Sequence, residues 1–198
     1  MNKKEQTINT YNENAKALAD MYDNQRARIA DIEATFSLVK KDNPKVLEIG
    51  CGNGRDAEEI CKRTNAYLGI DISEKLVELA REKVSSATFE VMDVENFQFP
   101  KELDVIFASA SLVHIQKNQL REVLQKALSS LNDGGVFLLS MKYCDTYKEN
   151  TKEDEFGTRT YYLYSQEDIK ELATGFTILK NELQYLRGQM WLEVLLQK

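Results

Sequence analysis

An α/β fold on a mostly parallel sheet is the class this sequence predicts, and three observations carry it. Short apolar runs such as Val46–Ile49 ("VLEI") and "VFLLSMK" lack the alternation of a half-exposed strand and so suit strands covered on both faces. Between them lie stretches with apolar residues at alternating three and four, the stripe of amphipathic helices. The first apolar run passes at once into a glycine-dense segment, "GCGNGRDA". Strands alternating with helices at this spacing imply βαβ units and right-handed crossovers.

The elements follow in order. Ile8, Tyr11, Ala15, Leu18 and Tyr22, then Ile29, Ile32, Phe36 and Val39, predict two successive amphipathic helices before any strand. Pro44 precedes the first central strand. A helix is expected to open near Gly54 to Asp56 and run to about Arg63. "AYLGID" is a second strand, Ser73 caps "SEKLVELAREKV", and "TFEVMD" is a third strand. "LDVIFASA" is the fourth, and Leu120, Val123, Leu124, Ala127, Leu128 and Leu131 share a helical face ahead of "DGG" and the fifth strand. Beyond Lys142 the charged run "KENTKEDEF" has no period. "TRTYYLYS" is rich in tyrosine, and Ser165 with Asp168 forms a capping box for "DIKELA". Segments near Phe176–Leu183 and Met190–Leu196 are joined by a link too short for a crossover helix, so they should pair antiparallel.

Length and composition bound the rest. With 198 residues and 42% hydrophobic content, residues 1–198 form one domain by expectation: a helical cap at 1–43, a cofactor-binding core at 44–142, and a lid with terminal hairpin at 143–198. A formal charge of -6 opposes a phosphate-backbone partner. Cys51, Cys61 and Cys144 are odd in number and show no metal-ligand or disulfide spacing, which suits a reducing compartment and no metal. No stretch approaches the roughly 18 apolar residues of a membrane span, so the expected location is the cytoplasm.

Gly50, Gly52 and Gly54 follow a strand and lead into a helix, where absent Cβ atoms let a ligand approach the main chain. A dinucleotide fingerprint would place a third glycine at position 55, which is Arg55, and the lysine of a phosphate-binding P-loop is missing. Glu48 precedes the first glycine, at a strand end where an acid attracts a cation or amino group. Asp71 ends the second strand, 21 positions after Gly50, where a carboxylate accepts from ribose hydroxyls. Asp93 ends the third, within reach of an exocyclic adenine amine. Three acids at consecutive strand ends imply a ligand with sugar, base and ammonium group, and S-adenosylmethionine is such a molecule.

"VLEIGCGNGRDA", "GIDIS", "VMDVENF", "LDVIFASASLVHI" and "LNDGGVFLLSMK" together resemble the successive motifs of class I S-adenosylmethionine-dependent methyltransferases. The resemblance implies a Rossmann-like three-layer sandwich with a seven-stranded sheet, order 3-2-1-4-5-7-6, strand seven antiparallel, and N-terminal helices capping the site. It implies that Glu48, Gly50, Cys51, Gly52 and Gly54 surround the methionine moiety. Asp71 would hold the ribose, Ile72 and Val94 the adenine faces, and Asp93 its amine, while Ala108 would bring backbone near the amino group. Arg55 would contact the cofactor carboxylate or reach solvent. Tyr11 and Tyr22 lie on the helical stripe, where core packing and closure over the cofactor are both open; Tyr11 is assigned to the cofactor. His114, the one histidine, is either an acceptor of a substrate proton or a packed side chain. "GTRTYYLYS" resembles the G-x-R-x-[FY]-x-x-Y lid of a bacterial subgroup. There Arg159 and Tyr161 would face an anionic or phenolic acceptor, the alternative being a solvated loop. Trp191 is expected in the core. "ASAS" in place of an "NPPY"-type tetrad argues against methylation of a planar base nitrogen.

The implied activity is in-line methyl transfer to a small-molecule acceptor not identified by sequence. The alternatives are a non-catalytic scaffold of the same fold that activates a partner, or, against the acidic charge, an RNA methyltransferase.

Overall fold

The computed structural model describes residues 1–198. Three helices come first rather than two: α1 (Lys3–Glu13), α2 (Ala15–Gln25) and α3 (Ile29–Ser37). The continuous apolar stripe hid the break between the first pair, which falls at Asn14, whose side chain donates to the Thr10 and Phe156 carbonyls instead of continuing a helix.

The core alternates thereafter as the sequence predicts: β1 (Val46–Ile49), α4 (Ala57–Ile60), β2 (Tyr67–Asp71), α5 (Glu74–Lys83), β3 (Thr88–Val91) and β4 (Leu103–Ser109). A 3₁₀ turn at Leu112–His114 leads to α6 (Lys117–Ser130) and β5 (Leu131–Lys142). The helix expected to reach Arg63 is a single turn at α4. Ser73 caps α5 by accepting from the Leu76 amide, as expected.

In-register neighbours explain why the strands are apolar throughout. Leu47, Ile106 and Phe137 belong to one buried cluster with Leu120, Leu124 and Ile169. Their sequence neighbours Val46, Val105 and Val136 belong to the other, with Ile32, Ile60 and Val77. Each central strand therefore feeds two helical layers by simple side-chain alternation.

The sheet order is β3-β2-β1-β4-β5-β9-β8, where β8 is Thr177–Leu186 and β9 is Gln189–Gln197. β9 runs antiparallel to both neighbours. This is the predicted order once two additional strands are counted. β6 (Lys148–Asp154) and β7 (Gly157–Leu163) form a separate antiparallel hairpin where the sequence suggests an aperiodic charged run. β6 carries no hydrophobic alternation because it is almost wholly exposed and pairs only with β7. The helix α7 (Gln166–Leu172) opens with the Ser165/Asp168 capping box. Arg187 and Gly188 make the two-residue turn between β8 and β9, both at positive φ (53° and 74°), as a hairpin of this length requires.

No helix is long and apolar enough to cross a membrane.

Candidate functional site

A cavity of about 930 Å³ opens at the carboxyl ends of β1, β2, β3 and β4 and is roofed by α1, α2 and the β6/β7 hairpin. Crevices beyond the carboxyl ends of parallel strands, where the sheet order reverses, are the usual ligand position in open α/β sheets. This volume suits one nucleoside-sized ligand and a second small molecule.

The loop after β1 is shaped first by the protein itself. Gly50, Gly52 and Gly54 have φ of +71°, +54° and +78°, a region open to glycine. A Cβ on Gly50 would stand 2.1 Å from Ser111 Cβ, and one on Gly54 3.3 Å from Ala80. Gly54 does not line the cavity; its missing side chain lets the loop sit against α5. A Cβ on Gly52 would meet nothing nearer than the Tyr22 ring at 3.8 Å, so Gly52 is the glycine whose bareness leaves space beside the cavity. Ser111 donates to the Ile49 carbonyl at 2.6 Å and locks the end of β4 against the loop.

Glu48, Asp71 and Asp93 all line the cavity. Glu48 is 3% exposed and accepts a hydrogen bond from the Tyr67 hydroxyl. Burial, reinforced by the Asp56 charge, pushes its carboxyl up to about 8, so it carries a proton at neutral pH. Asp71 accepts from the Gly52 amide (2.9 Å) and the Ser73 amide (2.8 Å). Burial raises its pKa against those bonds. The aspartate therefore holds the glycine loop to β2 as well as facing the cavity. Asp93 accepts from Lys4 of α1 at 2.6 Å, and Lys4 also reaches Glu95 at 2.6 Å. Ile72 and Val94, the residues that follow the two aspartates, also line the cavity.

Other expectations are redistributed. Cys51 is buried and reaches the cavity wall. Ala108 does not reach it. Its side chain is fully buried among Ile106, Phe137 and Leu139, and Ser109, Ala110 and Ser111 line the cavity in its place. Arg55 neither extends into solvent nor stands free, because it pairs with Asp56 through Nε (3.1 Å) and Nη2 (2.5 Å) at the cavity wall. Tyr22 also lines the cavity, and its hydroxyl is raised by burial to about 12.

A further part of the cavity wall is built by residues far apart in sequence. His114 Nδ1 lies 2.6 Å from the Thr160 carbonyl, which only accepts, so Nδ1 carries the proton and Nε2 is the acceptor. Nε2 in turn accepts from the Tyr11 hydroxyl at 2.8 Å. Burial drives the imidazole down to about 4, helped by the Arg159 and Lys142 charges, so it is neutral at pH 7. Tyr161 packs on it with ring centroids 4.7 Å apart. Arg159 is 7% exposed, donates from Nη2 to Asp154 at 2.5 Å, and lies over the Tyr11 ring at 5.5 Å. The "GTRTYYLYS" segment is thus the inner strand of a hairpin, and the solvated-loop alternative fails. The hairpin is anchored on α1: Thr10 donates to the Thr158 carbonyl (2.8 Å) and the Thr160 amide to Thr7 (3.1 Å).

Two residues escaped sequence reasoning. Lys142 ends β5 and places Nζ 3.9 Å from the Tyr161 ring centroid. Trp191, expected in the core, is half-buried and lines the cavity, 5.6 Å from the same Nζ. The register that sets Lys142 opposite Trp191 depends on the β5/β9 pairing, which alternation within either strand does not reveal.

Residues 46–135 match the family described as a methyltransferase domain. Among curated proteins, malonyl-[acyl-carrier protein] O-methyltransferase 1 of Ilyobacter polytropus is 31% identical over 88% of this chain and 59% of its own length. Trans-aconitate 2-methyltransferase of Variovorax paradoxus is 29% identical over 63% of this chain and 48% of its own. The chain spans about half the length of the curated relatives it matches. Among solved structures, the 1,6-didemethyltoxoflavin-N1-methyltransferase of Burkholderia thailandensis, with its substrate and S-adenosylhomocysteine bound, superposes with a TM-score of 0.74 at 18% identity. That match covers 96% of this chain and 86% of that one and shows the shared fold.

Proposed function

We infer that the chain is a class I S-adenosylmethionine-dependent methyltransferase that transfers a methyl group to a small-molecule acceptor; the methyltransferase-domain match and the methyltransferase relatives support this reading. The observation carrying this reading is the single cavity lined by acids from three strand ends and by a histidine, arginine and tyrosine. The residues present fit the cofactor: Asp71 for the ribose hydroxyls, Ile72 and Val94 for the adenine faces, Asp93 for its amine. Glu48, Gly50, Cys51 and Gly52 surround the methionine end, with Tyr11 and Tyr22 closing from the helices. Held there, S-adenosylmethionine supplies a methyl group whose transfer leaves a neutral thioether.

The chain's own contribution is alignment and exclusion of water, because an in-line displacement needs its reacting atoms collinear and little else. α1, α2 and the hairpin close the cavity. Glu48 changes from a neutral carboxyl to a counter-ion when an ammonium group approaches. His114, neutral and with Nε2 its free-pair nitrogen, takes the proton of the acceptor once Tyr11 turns aside, and Nδ1–H stays on Thr160 to fix the tautomer. Arg159 and Tyr161 orient the acceptor. Three free cysteines accord with a reducing compartment, and we place the protein in the cytoplasm.

Calorimetry with S-adenosylhomocysteine tests the reading. Binding with micromolar or tighter affinity is expected; no detectable heat would favour the non-catalytic scaffold.

A further inference from the structure

We propose that the cavity end formed by Lys142, Arg159, Tyr161 and Trp191 is an oxyanion subsite, and that the methyl acceptor is an aromatic monoanion. The proposal rests on the methyltransferase reading and names its substrate class.

Four observations support it. The Arg159 guanidinium has five N–H donors, of which only Nη2 has a protein acceptor; Nε is enclosed without one, although the side chain is more than nine-tenths buried. A buried donor without a partner is costly, and a ligand oxygen that draws the fork toward it relieves that cost. Lys142 lies at the cavity wall with aromatic rings rather than a carboxylate as its near neighbours, the Tyr161 centroid at 3.9 Å and the Trp191 ring at 5.6 Å. Burial, then the Lys152 and Arg159 charges, hold its pKa below the usual lysine range, as expected of a cation short of counter-charge.

The charge count selects a monoanion. Three cations, Lys142, Lys152 and Arg159, share one carboxylate, Asp154; Lys152 is mostly exposed and screened by water, which leaves one buried positive charge without a partner, that of Lys142. A dianion such as a phosphate monoester would also face repulsion from Asp71 and Asp93 at the far end of the cavity. The walls select a ring. Tyr161, Trp191 and Tyr11 present flat faces around the two cations, and flat apolar surface is covered best by an aromatic partner.

Trp191 is the one tryptophan of the chain, so its fluorescence reports this subsite directly. The protein loaded with S-adenosylhomocysteine is titrated with benzoate, with uncharged benzamide and with acetate. Benzoate is expected to change Trp191 emission saturably, with benzamide and acetate each at least tenfold weaker. Lys142→Gln is expected to weaken benzoate about tenfold while leaving S-adenosylhomocysteine affinity within twofold by calorimetry. Arg159→Gln, where it folds, should do the same. Benzoate that fails to bind, that binds no better than benzamide or acetate, or that binds Lys142→Gln unchanged overturns the proposal. Absence of S-adenosylhomocysteine binding would instead remove the methyltransferase reading, and the benzoate titration would then run on the unloaded chain.

Discussion

Tyr11 of α1 donates its hydroxyl proton to Nε2 of His114 across 2.8 Å, joining the roof of the cavity to the turn that follows β4. The bond occupies the lone pair that a general base needs, so the closed roof and a free base exclude one another.

His114→Gln is therefore expected to lower kcat by about 10²-fold, the usual scale for loss of a positioned base, with S-adenosylhomocysteine affinity within twofold. Tyr11→Phe frees Nε2 and should alter kcat without abolishing it. Because the imidazole sits at about 4, the wild-type rate stays level from pH 7 down to about 5. A fall centred near 6.5 would show that His114 titrates as an exposed histidine and is not this base.

Asp71→Asn keeps the shape of the side chain but removes its charge and turns one acceptor into a donor facing the Gly52 or Ser73 amide. Cofactor affinity should fall by about 1–3 kcal/mol, with part of the loss coming from a loosened glycine loop. Calorimetry measures the affinity. A thermal melt measures the loop, and an unchanged affinity would remove the ribose assignment.

Glu48 predicts a proton count. Its carboxyl is protonated up to about pH 8 in the unliganded chain, and a bound ammonium group favours the charged form. Binding of S-adenosylhomocysteine at pH 7 should release a proton, seen as a binding enthalpy that varies with the ionisation enthalpy of the buffer. Glu48→Gln should abolish the dependence. For folding the sign is opposite to that of an ion-paired acid. The folded chain holds the proton between about 4.5 and 8 while the unfolded chain does not, so stability declines as pH rises through that window.

Two glycine variants separate folding from binding. Gly50→Ala drives a methyl group into Ser111 at a positive φ and should cost about 2 kcal/mol or more, roughly 4–8 °C in Tm. Gly52→Ala meets no protein atom closer than 3.8 Å and carries only the backbone strain, so its Tm should fall less while cofactor affinity falls more. Equal effects on Tm and affinity in both variants would contradict this division.

What the sequence discloses is what local chemistry dictates. β1 and β5 are visible because strands buried on both faces must be apolar, and Ser73 and Ser165 because caps have fixed spacing. Asp71 and Asp93 are visible as cavity-lining residues because the crevice of an open α/β sheet lies beyond its strand ends. β6 is invisible because a strand exposed on both faces needs no pattern, and its partner β7 supplies the hydrogen bonds. Lys142 and Trp191 are hidden for another reason: each is ordinary within its own strand, and their meeting is a property of pairing across 49 positions of chain. Gly54 shows a third limit, since composition cannot say whether a missing side chain makes room for a guest or for Ala80.

The β6/β7 hairpin shares no hydrogen-bonded ladder with the seven-stranded sheet; its backbone meets the sheet at one isolated bridge, Tyr143 to Tyr164, and its side chains pack on β5 through Tyr161 and Tyr162. Glu48, Asp71 and Asp93 lie on or just after strands that the flap never pairs with, so changes in the flap reach them only through α1. One wall of the cavity can thus be rebuilt by changing a short ribbon while the carboxylate wall keeps its own scaffold.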